Sequence, residues 1–325
     1  MSELTYREAI TRALAEELER NDRVMLLGED IGAAGGVFQA TAGLFDRFGE
    51  RRVRDTPIAE QAIVGCALGA AVAGLRPVAE VMFADFAGVC YDQIVNQLAK
   101  YRYMSGGQAA VPVTVRMANG GGVGFAAQHS QSVENWFLNV PGLKICVPGT
   151  PADAYGLLKA AIRDDNPVLF FEHKRLYPER GHVADEEHIV ELGRAEIVRS
   201  GSDVTVVATQ FMRRRVLEAA EVLAADGVEL ELVDPRTLAP LDLPTICASV
   251  EKTGRLVCVQ ECSRAGSWGA TVTAAVVEHV WGSLDARPQL VSGDETPIPY
   301  AAQLEDAWLP STDRIIEILR RTAAE

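Results

Sequence analysis

The stretch Asp55–Leu75, DTPIAEQAIVGCALGAAVAGL, places one carboxylate, Glu60, at the mouth of a segment with no Asp, Glu, Lys, Arg or His. From Gln61 to Leu75 apolar and small residues fall on every face of a 3.6-residue period, so the segment reads as a helix buried all round. Glu60 then enters the interior with it. An acid at such a helix start can complement the helix dipole, accept hydrogen bonds from free N–H groups, or exchange a proton with a ligand. These residues alone leave all three readings open.

Outward from this helix, short apolar runs alternate with helical periodicity. Thr5-x-x-Glu8 predicts a capping box before an amphipathic helix carrying Ile10, Leu14 and Leu18. Val24–Gly28 reads as a buried strand, followed by a Gly-rich loop from Gly32 to Gly36. A strand over Pro77–Phe83, a helix over Ala87–Lys100, and strands over Val111–Met117 and Leu143–Val147 come next. The helix Pro151–Asp164 and the strand Pro167–Phe171 complete an α/β domain with a mostly parallel sheet. Pro178, Gly181 and a cluster of charges then break the rhythm up to Gly193. The expected division is a first domain at 1–180, a linker at 181–193 and a second α/β domain at 194–325. The second is expected to hold strands Val204–Ala208, Val228–Val233 and Leu256–Val259, a helix Arg213–Ala225 capped by Gly227, and a final helix near Trp268–Trp281. The fold class is therefore α/β with two open, mostly parallel sheets.

Composition narrows the function. The net charge is −14, from 31 bases against 45 acids, which argues against a nucleic-acid surface. The one compact basic cluster, Arg213-Arg214-Arg215, opens an amphipathic stretch and reads as a solvated helix face. Six cysteines lie scattered in apolar segments without a C-x-x-C pair and read as buried, reduced thiols. No apolar run reaches membrane-spanning length and no secretory pattern opens the chain, so a cytoplasmic location is expected.

Ligands of open α/β sheets sit at the carboxyl ends of the strands. The loops there hold Glu29-Asp30, the turn Asp55–Glu60, Asp85-Phe86, and the run Asn119–Gln131. Gly122-x-Gly124-x-x-Ala127 fits the dinucleotide fingerprint nominally, but polar residues follow it and no acid stands at the required distance. His129, flanked by Gln128, Ser130 and Gln131, reads either as a ligand-facing imidazole or as a loop histidine bonded to backbone. The remaining histidines show no paired metal spacing. No nucleophile elbow, P-loop or H-E-x-x-H occurs, and neither does Gly-Asp-Gly, the usual start of a magnesium-diphosphate site for thiamine cofactors.

In combination the segments resemble the β subunit of the thiamine-diphosphate-dependent first component of 2-oxoacid dehydrogenase complexes. The resemblance spans nearly the whole chain. It rests on LLGED (26–30), GGVF (35–38), RVRDTPIAE (52–60), GLRPVAE (74–80), DFAGVCYDQIVNQLAK (85–100), YMSGG (103–107), AAQHSQ (126–131), PGLKICVPGTPADAYGLLKAAIRDDNPV (141–168) and EHKRLY (172–177).

It implies a pyrimidine-binding domain followed by a transketolase C-terminal-type domain. Glu60 matches the glutamate that bonds a ring nitrogen of the cofactor's aminopyrimidine. Protonating that nitrogen favours the imino tautomer, whose basic nitrogen takes a proton from the thiazolium carbon. Phe86 matches an aromatic packed against the pyrimidine, with a plain core Phe as the alternative, and Glu29 is a further cofactor-binding candidate. His129 matches a histidine facing substrate and lipoyl group, where it protonates a departing sulfur. Val113, Ala161, Ile162, Asp164 and Asn166 match a monovalent-cation site, potassium being the candidate.

With the diphosphate motif missing, the resemblance implies that an α subunit holds the magnesium and diphosphate. It also implies an α2β2 heterotetramer docked on a lipoyl-bearing dihydrolipoyl acyltransferase core. The second domain would serve β–β contact and core docking through its acidic surface. The wording of DFAGVCYDQIVNQLAKYRYMSGG and EHKRLY leans toward acetoin over pyruvate or branched-chain substrates. A split transketolase-like ketol transferase and a non-catalytic β-like subunit are the alternatives.

Overall fold

A computed structural model describes residues Met1 to Glu325 and divides them into two compact units. The first comprises Met1–Asn119 and Trp136–Leu192, the second Gly120–Asn135 and Gly193–Glu325.

In the first unit the elements are β1 (Ser2–Thr5), α1 (Tyr6–Arg20), β2 (Val24–Gly28), α2 (Leu44–Phe48), β3 (Val53–Asp55), α3 (Glu60–Val72) and β4 (Arg76–Val81). They continue with α4 (Ala99–Met104), β5 (Thr114–Asn119), β6 (Lys144–Cys146), α5 (Pro151–Arg163), β7 (Val168–His173) and β8 (Arg180–Val183). The capping box forms: the Glu8 N–H donates to the Thr5 hydroxyl at 3.1 Å, and the Thr5 N–H donates to the Glu8 carboxylate at 2.7 Å. Within this unit the strand order is β6-β7-β5-β4-β2-β3, and every one of these pairings is parallel. The chain leaves β2 toward β3 on one side and resumes at β4 on the other. That places the topological switch point, where open α/β sheets take ligands, between the carboxyl ends of β2 and β4.

Five local expectations change. α3 buries Ile63, Val64, Ala67 and Ala71 but exposes Gln61, Ala62, Cys66, Gly69, Val72 and Ala73, so it is not buried all round. An uncharged solvent-facing side and a buried side look alike in sequence, since only a charge would have told them apart. The thiol of Cys66 is accordingly exposed, while the other five cysteines are buried. β5 starts at Thr114 and not at Val111, because Pro112 has no N–H to give a ladder. The segment Ala84–Met104 winds first as a 3₁₀ turn over Ala84–Gly88, then carries a π-helical turn over Gln93–Leu98 set between α-helical residues 91–92 and the α-helix that starts at Ala99. The charged stretch beyond Tyr177 also contains β8, paired antiparallel with β1.

The second unit contains β9 (Glu196–Arg199), β10 (Val204–Ala208), α6 (Gln210–Ala225), β11 (Leu230–Asp234), β12 (Thr237–Ala239), α7 (Leu243–Thr253) and β13 (Leu256–Val259). α8 (Trp268–Val280), β14 (Gln289–Val291), α9 (Ala302–Trp308) and α10 (Thr312–Ala324) complete it. Its sheet runs β14-β13-β10-β11-β9, parallel throughout except for the antiparallel β9. The helix at Trp268 is not the last, because α9 and the amphipathic α10 follow it. Residues 120–135, read with the first half of the chain, group with this unit. Their backbone and the Asn135 side chain are tied to Glu261, Glu305 and the start of α8. No helix is long and apolar enough to cross a membrane.

Candidate functional site

The DTPIAE turn is fastened to the loop after β2. The Gly32 N–H donates to the Asp55 carboxylate at 2.6 Å and the Thr56 N–H to the Gly28 carbonyl at 2.9 Å. A Cβ on Gly28 would lie 2.9 Å from the Glu80 Cβ, so only glycine lets β2 end this close to β4. Glu60 opens α3 and is only 7% exposed. Ala59, which precedes it, offers no side-chain cap to the helix N–H groups. At the same turn the Thr56 hydroxyl is buried without a hydrogen-bond partner. The mouth of α3 therefore holds polar groups that the chain itself leaves unused. A ligand that both donates and accepts hydrogen bonds could use them.

Two neighbours register the Glu60 charge. Burial pushes the Cys90 thiol up to about 12, and the Glu60 carboxylate adds to that rise. The Glu29 carboxyl is raised by burial, then by Asp30, then by Glu60. Glu29 and Glu60 thus belong to one acidic locality at the switch point. Phe86 stands on the 3₁₀ turn after β4, half-buried, edge-on to Phe83 at 6.0 Å between ring centres. The Cys90 Sγ lies 3.7 Å from the Phe86 carbonyl oxygen, which ties Phe86 to the same locality.

Beneath it lies a network that sequence reasoning missed. Arg116 on β5 donates to both oxygens of Glu172 on β7, at 2.6 and 2.9 Å, and to Glu80 on β4 at 2.7 Å. The Tyr177 hydroxyl donates to Glu172 at 2.9 Å. Burial alone would lower the arginine's pKa, but the two carboxylates more than reverse this and hold it charged. One cation shared by two carboxylates leaves an excess negative charge, and burial pushes the Glu80 carboxyl upward despite Arg116. Phe38 stacks on Tyr177 at 5.1 Å and meets Phe83 edge-on at 5.5 Å, so aromatic rings run from this network to Phe86. The available signal was Glu80, Arg116 and Glu172 inside the mainly apolar strands RPVAEV, TVRMAN and VLFFEH.

His129 lies in the second unit, half-buried near the end of a loop that closes where the Gly120 N–H donates to the Gln131 carbonyl at 3.2 Å. Its own N–H donates to the Ala126 carbonyl at 3.4 Å, and Ala126 has a left-handed φ of 62°. The five cation-site candidates gather around the end of α5 in the first unit. The Val168 N–H donates to Val113 and the Asp164 N–H to Ala161, while Asn166 donates to the Asp164 carboxylate. The Arg76 guanidinium donates to the carbonyls of Ile162 and Asp164 at 2.9 and 2.7 Å, and Lys144 pairs with the Asp164 carboxylate. The donor set is all oxygen, which suits a hard cation, and each carbonyl keeps a second lone pair for it. Much of the positive charge at this turn is nonetheless supplied by the chain.

Comparison with known proteins places the geometry. Residues 2–180 match the transketolase pyrimidine-binding domain family and residues 193–315 the transketolase C-terminal domain family. The β subunit of an acetoin:2,6-dichlorophenolindophenol oxidoreductase from Cupriavidus necator is 46% identical, over 98% of this chain and 97% of its own length. The 2-oxoisovalerate dehydrogenase β subunit of Bacillus subtilis is also 46% identical, over 99% of each chain. The chain belongs to the β subunits of 2-oxoacid dehydrogenase first components. A further family member, the pyruvate dehydrogenase E1 β subunit of Bacillus subtilis, is 44% identical over 99% of both chains. Among solved structures, a split-gene transketolase described as an inactive β4 tetramer shares the fold with a TM-score of 0.81. It is 24% identical and covers 99% of this chain and 98% of its own. This β subunit is thus one part of a thiamine-diphosphate-dependent α/β oxidoreductase.

Proposed function

We propose that the chain, with an α subunit, cleaves a 2-oxoacid or acetoin and passes the acyl group to a lipoyl group of an acyltransferase core. The observation that carries this is Glu60, buried at the uncapped start of α3 beside an unpartnered Thr56 hydroxyl. Bound thiamine diphosphate would supply the carbon nucleophile that adds to the 2-oxo group. Glu60 holds a proton on the aminopyrimidine ring nitrogen, Phe86 offers its ring to the pyrimidine, and Glu29 adds a second acid at the same locality. His129 gives a proton to the sulfur that leaves the dithiolane during acyl transfer.

The magnesium and diphosphate half of the site belongs to the α subunit, in an α2β2 heterotetramer. The exposed face of α3 supports that partner, because beyond Gln61 it shows water only Ala62, Cys66, Gly69, Val72 and Ala73, without a charge. The working division of the chain remains 1–180 for the pyrimidine domain and 194–325 for β–β contact and core docking, in the cytoplasm. Identity does not separate the substrates, since the acetoin and branched-chain relatives both stand at 46%. The wording of segment 85–107 still favours acetoin.

Glu60→Gln, co-expressed with its α chain, should lower turnover of pyruvate, branched-chain 2-oxoacid and acetoin alike by at least about a hundredfold. Full turnover in that variant would remove Glu60 from the chemistry. A monovalent cation at Val113, Ala161, Ile162, Asp164 and Asn166 should make the αβ complex melt a few degrees higher in potassium chloride than in choline chloride at equal ionic strength. Identical melting curves would remove potassium from the reading.

A further inference from the structure

We infer that Glu261 and Glu305 are positioning residues for His129, holding the loop Gly120–Gln131 by its backbone N–H groups and so setting where the imidazole stands. This rests on His129 acting in acyl transfer, as proposed above. Within the second unit the Gly121 N–H donates to Glu261 Oε1 at 2.6 Å. The Gly122 N–H donates to Glu305 Oε1 at 2.7 Å and the Gly124 N–H to Glu305 Oε2 at 3.0 Å. One carboxylate therefore grips two alternate amides with its two oxygens, and a second grips the amide before them.

The backbone is shaped for this. Gly120, Gly122 and Gly124 have left-handed φ values of 82°, 83° and 77°. Left-handed residues alternating with others turn successive N–H groups to one side, the concavity that binds anions in phosphate loops. Here the occupant is the protein's own Glu305. Such charge-assisted bonds are stronger than those between neutral groups, and exclusion of water strengthens them again. Glu305 is only 3% exposed and Glu261 only 7%. The loop needs such an anchor, because residues 120–133 form no helix or strand and Val123, Phe125, Ala127 and Gln128 face solvent. The Gly120–Gln131 bond pins the neck two residues from His129, and the carboxylates pin the arm leading into it. Displacing a reacting group by about 1 Å costs on the order of a hundredfold in rate.

The test uses the assembled αβ complex with thiamine diphosphate and magnesium. Glu305→Gln replaces one acceptor oxygen by a donor and should release at least one of the two amides. Hydrogen exchange at Gly122 and Gly124 should then quicken by about tenfold or more, with Gly121 unchanged. Unchanged exchange overturns the grip. Reduction of a free lipoyl domain should slow by about tenfold or more, and the double variant Glu305→Gln, His129→Ala should be no slower than His129→Ala alone. Losses that multiply in the double variant would show a purely structural role and overturn the inference. If Glu305→Gln does not assemble, Glu305→Asp, which keeps the charge but shortens the reach, is read by the same two measurements. Full lipoyl reduction by His129→Ala would instead sink the role given to His129, while the exchange result would still decide the grip.

Discussion

At Arg116 a cation meets three carboxylate oxygens, 2% exposed and away from water. Removing one member of such a network strands the others, because buried carboxylates lose their counter-charge and recover no solvent. Arg116→Met should destabilise the chain by about 3–5 kcal/mol, measured by chemical denaturation of the αβ complex. A loss within experimental error would mean that Glu172 and Glu80 find other partners. The residues of the site were unequally legible. Glu60 stood out because the residues after it carry no charge at all. Arg116, Glu80 and Glu172 sit in different strands, and nothing local says that the sheet brings them together. Glu305 was missed for the same reason, being 183 residues from the glycine it holds.

Among the elements, α3 shows where periodicity gives out. Its sequence is apolar on every side, so the buried stripe of Ile63, Val64, Ala67 and Ala71 could not be told from the exposed one. The exposed stripe makes a prediction at this scale. Cys66 lies on it, whereas Cys90 is buried with its thiol pushed up to about 12. In the isolated β chain at pH 8, iodoacetamide should modify Cys66 and leave Cys90 untouched, since the thiolate is the nucleophile. Assembly with the α subunit should slow modification of Cys66 by about tenfold or more if that face is covered, with a protein–protein interface excluding reagent as it excludes water. Equal rates in free and assembled chains would leave α3 outside the interface. β5 teaches the converse lesson, because Pro112 delayed a strand that hydrophobicity alone would have started earlier.

Across the whole molecule the net charge of −14 bears on association more than on folding. If an acidic surface meets a basic module of the acyltransferase core, opposite charges steer the encounter and salt screens them. The association rate of the αβ complex with its core should therefore fall by about tenfold or more between ~50 and ~500 mM salt, with a smaller change in dissociation. Surface plasmon resonance would measure both, and a salt-independent on-rate would rule out electrostatic docking.

The sequence by itself determined the class of the fold, the order of its two α/β halves, and the acid at the head of α3. These depend on periodicity, on caps such as Thr5-x-x-Glu8, and on ordered local blocks, all of which are near-neighbour properties. Only the tertiary structure decided which side of α3 is bare, that Arg116 joins Glu80 to Glu172, and that the His129 loop is held by Glu261 and Glu305. Those contacts join residues tens to hundreds of positions apart. Their partners are chosen by parallel strand order and loop closure, which no local pattern of residues encodes.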